Sequence, residues 1–169
     1  MIDVDDVRRR TAGHVLVRGV DRIATGHVRL ETCFRYPDGG SIDLFLPDDA
    51  TLFPELRLTD LGQTMAWLLD VQVKPWLSSK RAAFLEDAIR QYGVRQVGGE
   101  LTRSLACLDE VNPGVVDLGQ ACLRVSDLMF TKRSALATAF REEAEYLRRR
   151  LGVPGRETPT VSAKAPGTK

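Results

Sequence analysis

Residues 57–69, RLTDLGQTMAWLL, constrain this chain more than any other stretch. A short apolar-alternating run ends in polar Thr59 and Asp60, and a helical pattern opens within a few residues. Thr59 or Asp60 can accept hydrogen bonds from the first free N–H groups of that helix, and Gly62 permits close backbone approach. Leu61, Met65, Leu68 and Leu69 then form an apolar stripe at helical spacing. The stretch predicts a strand-to-helix switch, with short strands mostly before it and helices mostly after it.

The surrounding composition is that of an ordinary globular chain: 43% hydrophobic and 28% charged, with formal net charge +1. A near-neutral balance excludes a global field that recruits nucleic acid or an anionic membrane. Cys33, Cys107 and Cys122 are scattered, without a CxxC spacing, and read as buried small hydrophobes in a reducing compartment. The acidic start, MIDVDD, has no apolar signal region, and no apolar run approaches the roughly 20 residues needed to cross a bilayer. The expectation is a cytoplasmic protein with no membrane partner.

From the beginning, residues 3–11 predict a short helix with Asp3 as N-cap, acidic residues in its first turn and Arg8, Arg9 and Arg10 in its last. Residues 14–20 predict a short strand. Residues 27–36 alternate, with Val28, Leu30, Thr32 and Phe34 on one face. Pro37-Asp38-Gly39-Gly40 is a strong turn signal, and Ile42, Leu44 and Leu46 alternate on the return strand against Asp43 and Phe45. Residues 56–58 predict a third strand. A helix from about residue 61 to 70 precedes a connector holding Pro75 and Trp76. A second helix, capped by Ser78 or Ser79, carries Ala82, Phe84, Leu85, Ala88, Ile89 and Tyr92 and stops at Gly93. Residues 94–105 around Gly98-Gly99 predict a smaller hairpin. Residues 115–129 predict an amphipathic helix after the punctuation at Asn112-Pro113-Gly114. A last helix over 134–151 carries Leu136, Phe140, Ala144, Leu147 and Leu151, and 152–169 has the composition of a disordered tail.

Catalytic constellations are scarce. His14 and His27 are the only histidines, no serine sits in a GxSxG elbow, and neither Gly-Gly pair belongs to a phosphate-binding loop. No cofactor is expected. The aspartates are the remaining candidates: Asp38, Asp43, Asp48, Asp49 and Asp60 cluster around the hairpin, where two or three could converge on Mg²⁺ for phosphodiester cleavage. Pro37-Asp38 with Gln72-Val73-Lys74 approximates the motif of restriction-type nucleases, but Gln72 stands where the pivotal acid belongs. No metal ligand set is assigned. Nucleic-acid contacts would fall to Arg8, Arg9, Arg10, Lys132, Arg133, Arg148 and Arg149, although Glu142, Glu143 and Glu145 balance the last group.

The order of features is similar to a family of small uncharacterised bacterial and phage proteins, a domain of unknown function whose strand-ending signature is Leu-Thr-Asp-Asp-Gly-x-Thr-Leu. The residues that carry the resemblance are the Pro-Asp-Gly-Gly hairpin with Ile42-Asp43-Leu44-Phe45-Leu46, then Leu58-Thr59-Asp60-x-Gly62-x-Thr64, Tyr92-Gly93-Val94 and Gly99-Glu100-Leu101. It covers about residues 10–131. Leu61 stands where the family often has a second aspartate and Met65 where it often has leucine, so a shared two-carboxylate metal site is not implied. The resemblance implies fold order and, by association with phages, prophages and mobile elements, a role in conflict between such elements and their hosts.

These readings predict an α+β fold, with a small antiparallel sheet built on hairpin 28–46 plus short strands and with helices mainly on one face. Residues 1–151 form one domain, with helix 134–151 a candidate appendage. The expected function is a non-catalytic interaction module, an inhibitor or accessory subunit that binds a host or defence-system protein. A homodimer through helix 134–151 accompanies it. Thr59, Asp60, Gly62, Thr64, Asp38 and Asp43 are its candidate binding residues. The alternative is a nucleic-acid-binding protein or Mg²⁺-dependent nuclease using the arginine clusters and hairpin aspartates.

Overall fold

A computed structural model describes residues 2–48 and 55–131 and, within the last helical segment, 142–143, 145–147 and 149–151. The chain divides into two compact units, Met1–Lys132 and Arg133–Lys169. The first unit is α+β. Its elements run α1 (Val4–Thr11), β1 (Val17–Arg22), β2 (Val28–Thr32), β3 (Leu44–Leu46), β4 (Arg57–Thr59), α2 (Gln63–Asp70), α3 (Ser79–Gln91), β5 (Arg95–Val97), β6 (Glu100–Ser104) and α4 (Val111–Ser126), with 3₁₀ turns at Pro75–Leu77, Leu108–Glu110 and Asp127–Thr131.

The six strands form one antiparallel sheet in the order β1-β2-β3-β4-β6-β5. The β2–β3 hairpin has the expected register, pairing Val28 with Leu46 and Leu30 with Leu44. Its turn closes through Tyr36 N–H to the Gly40 carbonyl (2.7 Å) and Gly39 N–H to the Tyr36 carbonyl (2.8 Å), with Gly39 at φ 91°. The second hairpin turns on Gly98 and Gly99, both at positive φ, as a two-residue loop of this hand requires. Helices α2 and α3 lie between β4 and β5 in sequence, so it is β6 that pairs with β4.

Period two decides the core. Val28, Leu30, Ile42, Leu44, Leu46, Leu58 and Leu101 turn to one face, where they meet Val111, Val115, Leu118, Cys122 and Val125 of α4. Helix α4 passes close to the hairpin because glycine stands at its contact points. A Cβ at Gly119 would lie 2.1 Å from Phe34 Cε2 and within 2.7 Å of two further ring atoms. The opposite face of the sheet carries Asp21, Arg29, Phe45, Thr59, Thr102 and Arg95 in direct register across the strands.

Several boundaries move. Strand β1 begins at Val17, not at residue 14, because Gly13 (φ 81°) turns the chain and His14 N–H bonds the Thr11 carbonyl at 2.9 Å. Helix α4 begins at Val111, so Pro113 and Gly114 lie inside its first turn. Proline is tolerated there because its missing N–H has no intrahelical partner. Ser78 occupies the N-cap position of α3 but makes no side-chain capping bond. Helix α2 ends in a Schellman motif, Val73 N–H to Leu68 carbonyl (2.7 Å) and Gln72 N–H to Leu69 carbonyl (2.8 Å), with Gln72 at φ 57°. Helix α3 ends the same way on Gly93. Of the cysteines, Cys122 is buried, Cys33 half-buried and Cys107 exposed, so the expectation of three buried thiols fails for Cys107.

In the second unit the described residues are helical, and Leu147 and Leu151 are exposed. Leu136, Phe140 and Ala144 of the expected stripe, and the tail 152–169, lie outside the described residues.

The two helical glycines of α4 separate on magnitude. Ala at either position gains roughly 1 kcal/mol of helix propensity. At Gly114 the added Cβ meets only single terminal methyl carbons of Leu105 and Leu58 at 2.8 and 2.9 Å, whereas at Gly119 it meets three atoms of a rigid aromatic ring at 2.1–2.7 Å. Urea unfolding should show Gly119→Ala destabilised by about 1–3 kcal/mol or more and Gly114→Ala by clearly less.

Candidate functional site

The junction between β4 and α2 is built around one buried carboxylate. Asp60 has no exposed surface. Its Oδ1 accepts from Gly62 N–H (2.9 Å) and Leu101 N–H (2.8 Å), and its Oδ2 accepts from Thr64 N–H (2.9 Å). One side chain therefore caps α2 and ties it to β6. Its backbone joins in, with Asp60 N–H donating to the Leu101 carbonyl at 3.1 Å. Thr59, also fully buried, accepts from Leu61 N–H (3.0 Å) and donates to Glu100 Oε2 (2.8 Å).

The turn between Asp60 and Gln63 closes at 3.1 Å with Leu61 at φ 51° and Gly62 at φ 76°. Two successive positive-φ residues favour Asn, Asp or Gly. A Cβ at Gly62 would meet only ordinary contacts, the nearest at 3.5 Å from the Gly99 carbonyl. Backbone conformation, not the close approach expected from sequence, is what demands glycine there. Leu61 bears the strain that its neighbour avoids.

Above the junction, helix and hairpin are clasped. The Trp67 ring stacks on Tyr36 at 5.0 Å and 8°. Its indole N–H donates to Asp38 Oδ2 (2.6 Å), while Gly40 N–H donates to Asp38 Oδ1 (2.9 Å). These bonds, the indole's first, hold the Asp38 carboxyl below its ordinary range. The Tyr36 hydroxyl meets Thr64 Oγ1 at 3.1 Å, and the Cys122 thiol reaches the same threonine. Burial pushes both the phenol and the thiol far above their ordinary values, so both stay neutral.

The structure thus brings Thr59, Asp60, Gly62 and Thr64 together, with Asp38 joined to them through Trp67. Asp43 stands elsewhere, on the side of the sheet that carries Arg29, with the Arg29 guanidinium at 3.7 Å. Its Oδ1 is buried without a hydrogen-bond partner, and burial raises its carboxyl above the ordinary value against the opposing pull of Arg29. Asp48 pairs with Arg22 at 2.8 Å, and Asp49 lies outside the described residues. Among the described residues no group of three His, Cys, Asp or Glu is placed to hold a metal ion. Gln72-Val73-Lys74 follows α2 in the turn that closes it, with Val73 fully buried, and is not a sheet strand.

The arginines of α1 have acidic neighbours: Arg8 on Asp5 (2.6 Å), Arg9 on Asp6 (3.4 Å), and Arg10 on Asp6 (3.1 Å) and Asp109. Arg149 pairs with Glu145 at 2.6 Å. Lys132, Arg133 and Arg148 lie outside the described residues.

Sequence reasoning missed a surface feature. Between α3 and the edge strand β5 runs a groove of about 310 Å³, lined by Met65, Trp76, Ala82, Leu85, Glu86, Ile89 and Gln96. Trp76 is 56% exposed and Leu77 72%. Pro75 is buried and anchors the 3₁₀ turn that presents both. The available signal was a Trp-Leu pair inside a connector without helical or strand periodicity.

Compared with known proteins, residues 32–125, more than half of the chain, match the domain of unknown function DUF1828. No curated protein and no solved structure matches the chain.

Asp60→Ala leaves three N–H groups, two of them buried, without their acceptor and should cost about 3 kcal/mol or more in urea unfolding. Leu61→Asn, at a half-exposed positive-φ position, should add about 0.5–1 kcal/mol. A destabilised Leu61→Asn would contradict the strain assigned to the turn. For Asp43, a carboxyl raised in the folded state stabilises only while protonated. That contribution is lost as pH rises through the raised value. Asp43→Asn should therefore exceed the parent at about pH 7 by up to ~1 kcal/mol, with the difference shrinking below about pH 4. Parallel pH–stability curves for the two would refute this.

Proposed function

Since the chain belongs to the family of the domain of unknown function DUF1828, whose description names no chemistry, we propose that it is a non-catalytic protein-interaction module. The observation that carries this reading is the exposed Trp76–Leu77 pair beside an apolar groove. Tryptophan is the residue type most enriched among binding hot spots, and a 56% exposed indole at the lip of a concave apolar surface suits an anchor site. The junction residues serve the module from beneath: Asp60 and Thr64 fix α2, which supplies Met65 to the groove floor.

The likeness to phage and mobile-element proteins gives the partner its class, a host or defence-system protein that the module inhibits or joins as an accessory subunit. Exposed Leu147 and Leu151 suit a homodimer through the helix expected over 134–151 as a second contact. The nucleic-acid alternative draws less support, because carboxylates neutralise the α1 arginines locally.

The test is a pull-down from host lysate with the tagged full chain, with nuclease added, run beside Trp76→Ser. A partner that survives nuclease should bind the variant about 30-fold more weakly or worse, and the variant should unfold at the parent's urea midpoint. Equal capture by Trp76→Ser would remove the groove from the function. Loss of every partner on nuclease treatment would return the arginine clusters to the centre.

A further inference from the structure

The groove has a wall that side chains do not supply. Strand β5 ends the sheet, and among the described residues its only neighbour is β6. Val97 and Glu100 flank the two-residue Gly98-Gly99 turn, and Arg95 pairs with Thr102. In an antiparallel ladder these alternate pairs exchange the inward hydrogen bonds, so the N–H and C=O of Gln96 point away from the sheet. All three β5 residues are exposed. The Gln96 side chain lines the same groove as Ala82, Leu85 and Ile89 of α3. An open edge strand and a helix thus flank one apolar trough.

That arrangement selects its occupant. A docked helix would satisfy its own main chain and leave the Gln96 backbone groups unmatched. An extended segment can bond to Gln96 and turn alternate side chains into the trough. Charge adds a second requirement. Among the described residues Glu86 is the only charged residue lining the groove, and no ion pair reaches it.

We propose that the groove binds an extended peptide segment of a partner protein by strand addition at Gln96. A large apolar side chain sits among Met65, Trp76, Leu85 and Ile89, and a Lys or Arg two residues away faces Glu86. The proposal rests on the interaction reading above and specifies how that interaction is made. The two-residue spacing follows from the strand period, since residues i and i+2 share a face.

Random linear peptides displayed on yeast, selected against the full-length chain, test it. Enriched sequences should pair a bulky apolar residue with Lys or Arg at i±2. Selection against Glu86→Lys should exchange that basic residue for Asp or Glu. In synthetic versions of the best binder, N-methylation of the backbone amide that meets Gln96 should weaken binding about tenfold, and methylation one residue along should change it less than about twofold. Failure to enrich any motif, anchors at i and i+4 spacing, tolerance of N-methylation throughout, or an unchanged basic preference with Glu86→Lys would each overturn strand addition. Those outcomes leave the interaction reading standing if lysate capture still depends on Trp76. Capture indifferent to Trp76→Ser would sink that broader reading whatever the peptides show.

Discussion

The Asp60 carboxylate is the interaction on which the rest of the first unit depends. Removing a carboxylate from water is costly by several kcal/mol, so a bare buried aspartate would oppose folding. Three backbone N–H groups converge on it, and hydrogen bonds to a charged acceptor contribute about 1.5–3 kcal/mol each. Only the full set offsets the desolvation. The three donors come from the turn, the first turn of α2 and strand β6, so the carboxylate is satisfied only when all three elements are in place. The same condition that makes it tolerable makes assembly cooperative.

The consequences spread through the elements that Asp60 positions. Thr64 is set by its bond to that carboxylate and carries the contacts to Tyr36 and Cys122. Tyr36 belongs to the hairpin turn, and Cys122 to α4, which packs on Phe34 through the notch at Gly119. Hairpin, helix and sheet thus share a polar seam inside an otherwise apolar core. Burial keeps the phenol and the thiol neutral, so neither adds a charge to the seam. Leu61 marks the local cost: a β-turn of the hand that joins β4 to α2 places a leucine at φ 51°, in a region where leucine is disfavoured.

Much of this could be read before any coordinates. The alternation from Val28 to Phe34 and from Ile42 to Leu46 set the hairpin register, because one face had to be apolar along both strands. Capping by Thr59 or Asp60 and termination at Gly93 followed from the chemistry of helix ends. Other features were not readable for stated reasons. Pro113 looked like a break because proline stops most helices, yet at the third position of α4 it lacks nothing the helix needs. Gln72 gave no sign of a helix stop, since glycine and asparagine are the usual left-handed residues. The pairing of β4 with β6, and the edge position of β5, depend on contacts between segments far apart in sequence.

The sequence by itself determined the element types, the hairpins, the inward faces and the strand-to-helix turn, because each follows from local periodicity and from backbone groups that need a nearby partner. Only the tertiary structure decided which N–H groups from distant segments reach Asp60, why Asp43 stands apart from it, and that Trp76 meets α3 and the open edge of β5 in one groove. Long-range packing places those groups, and no local pattern of residues records where it will bring them.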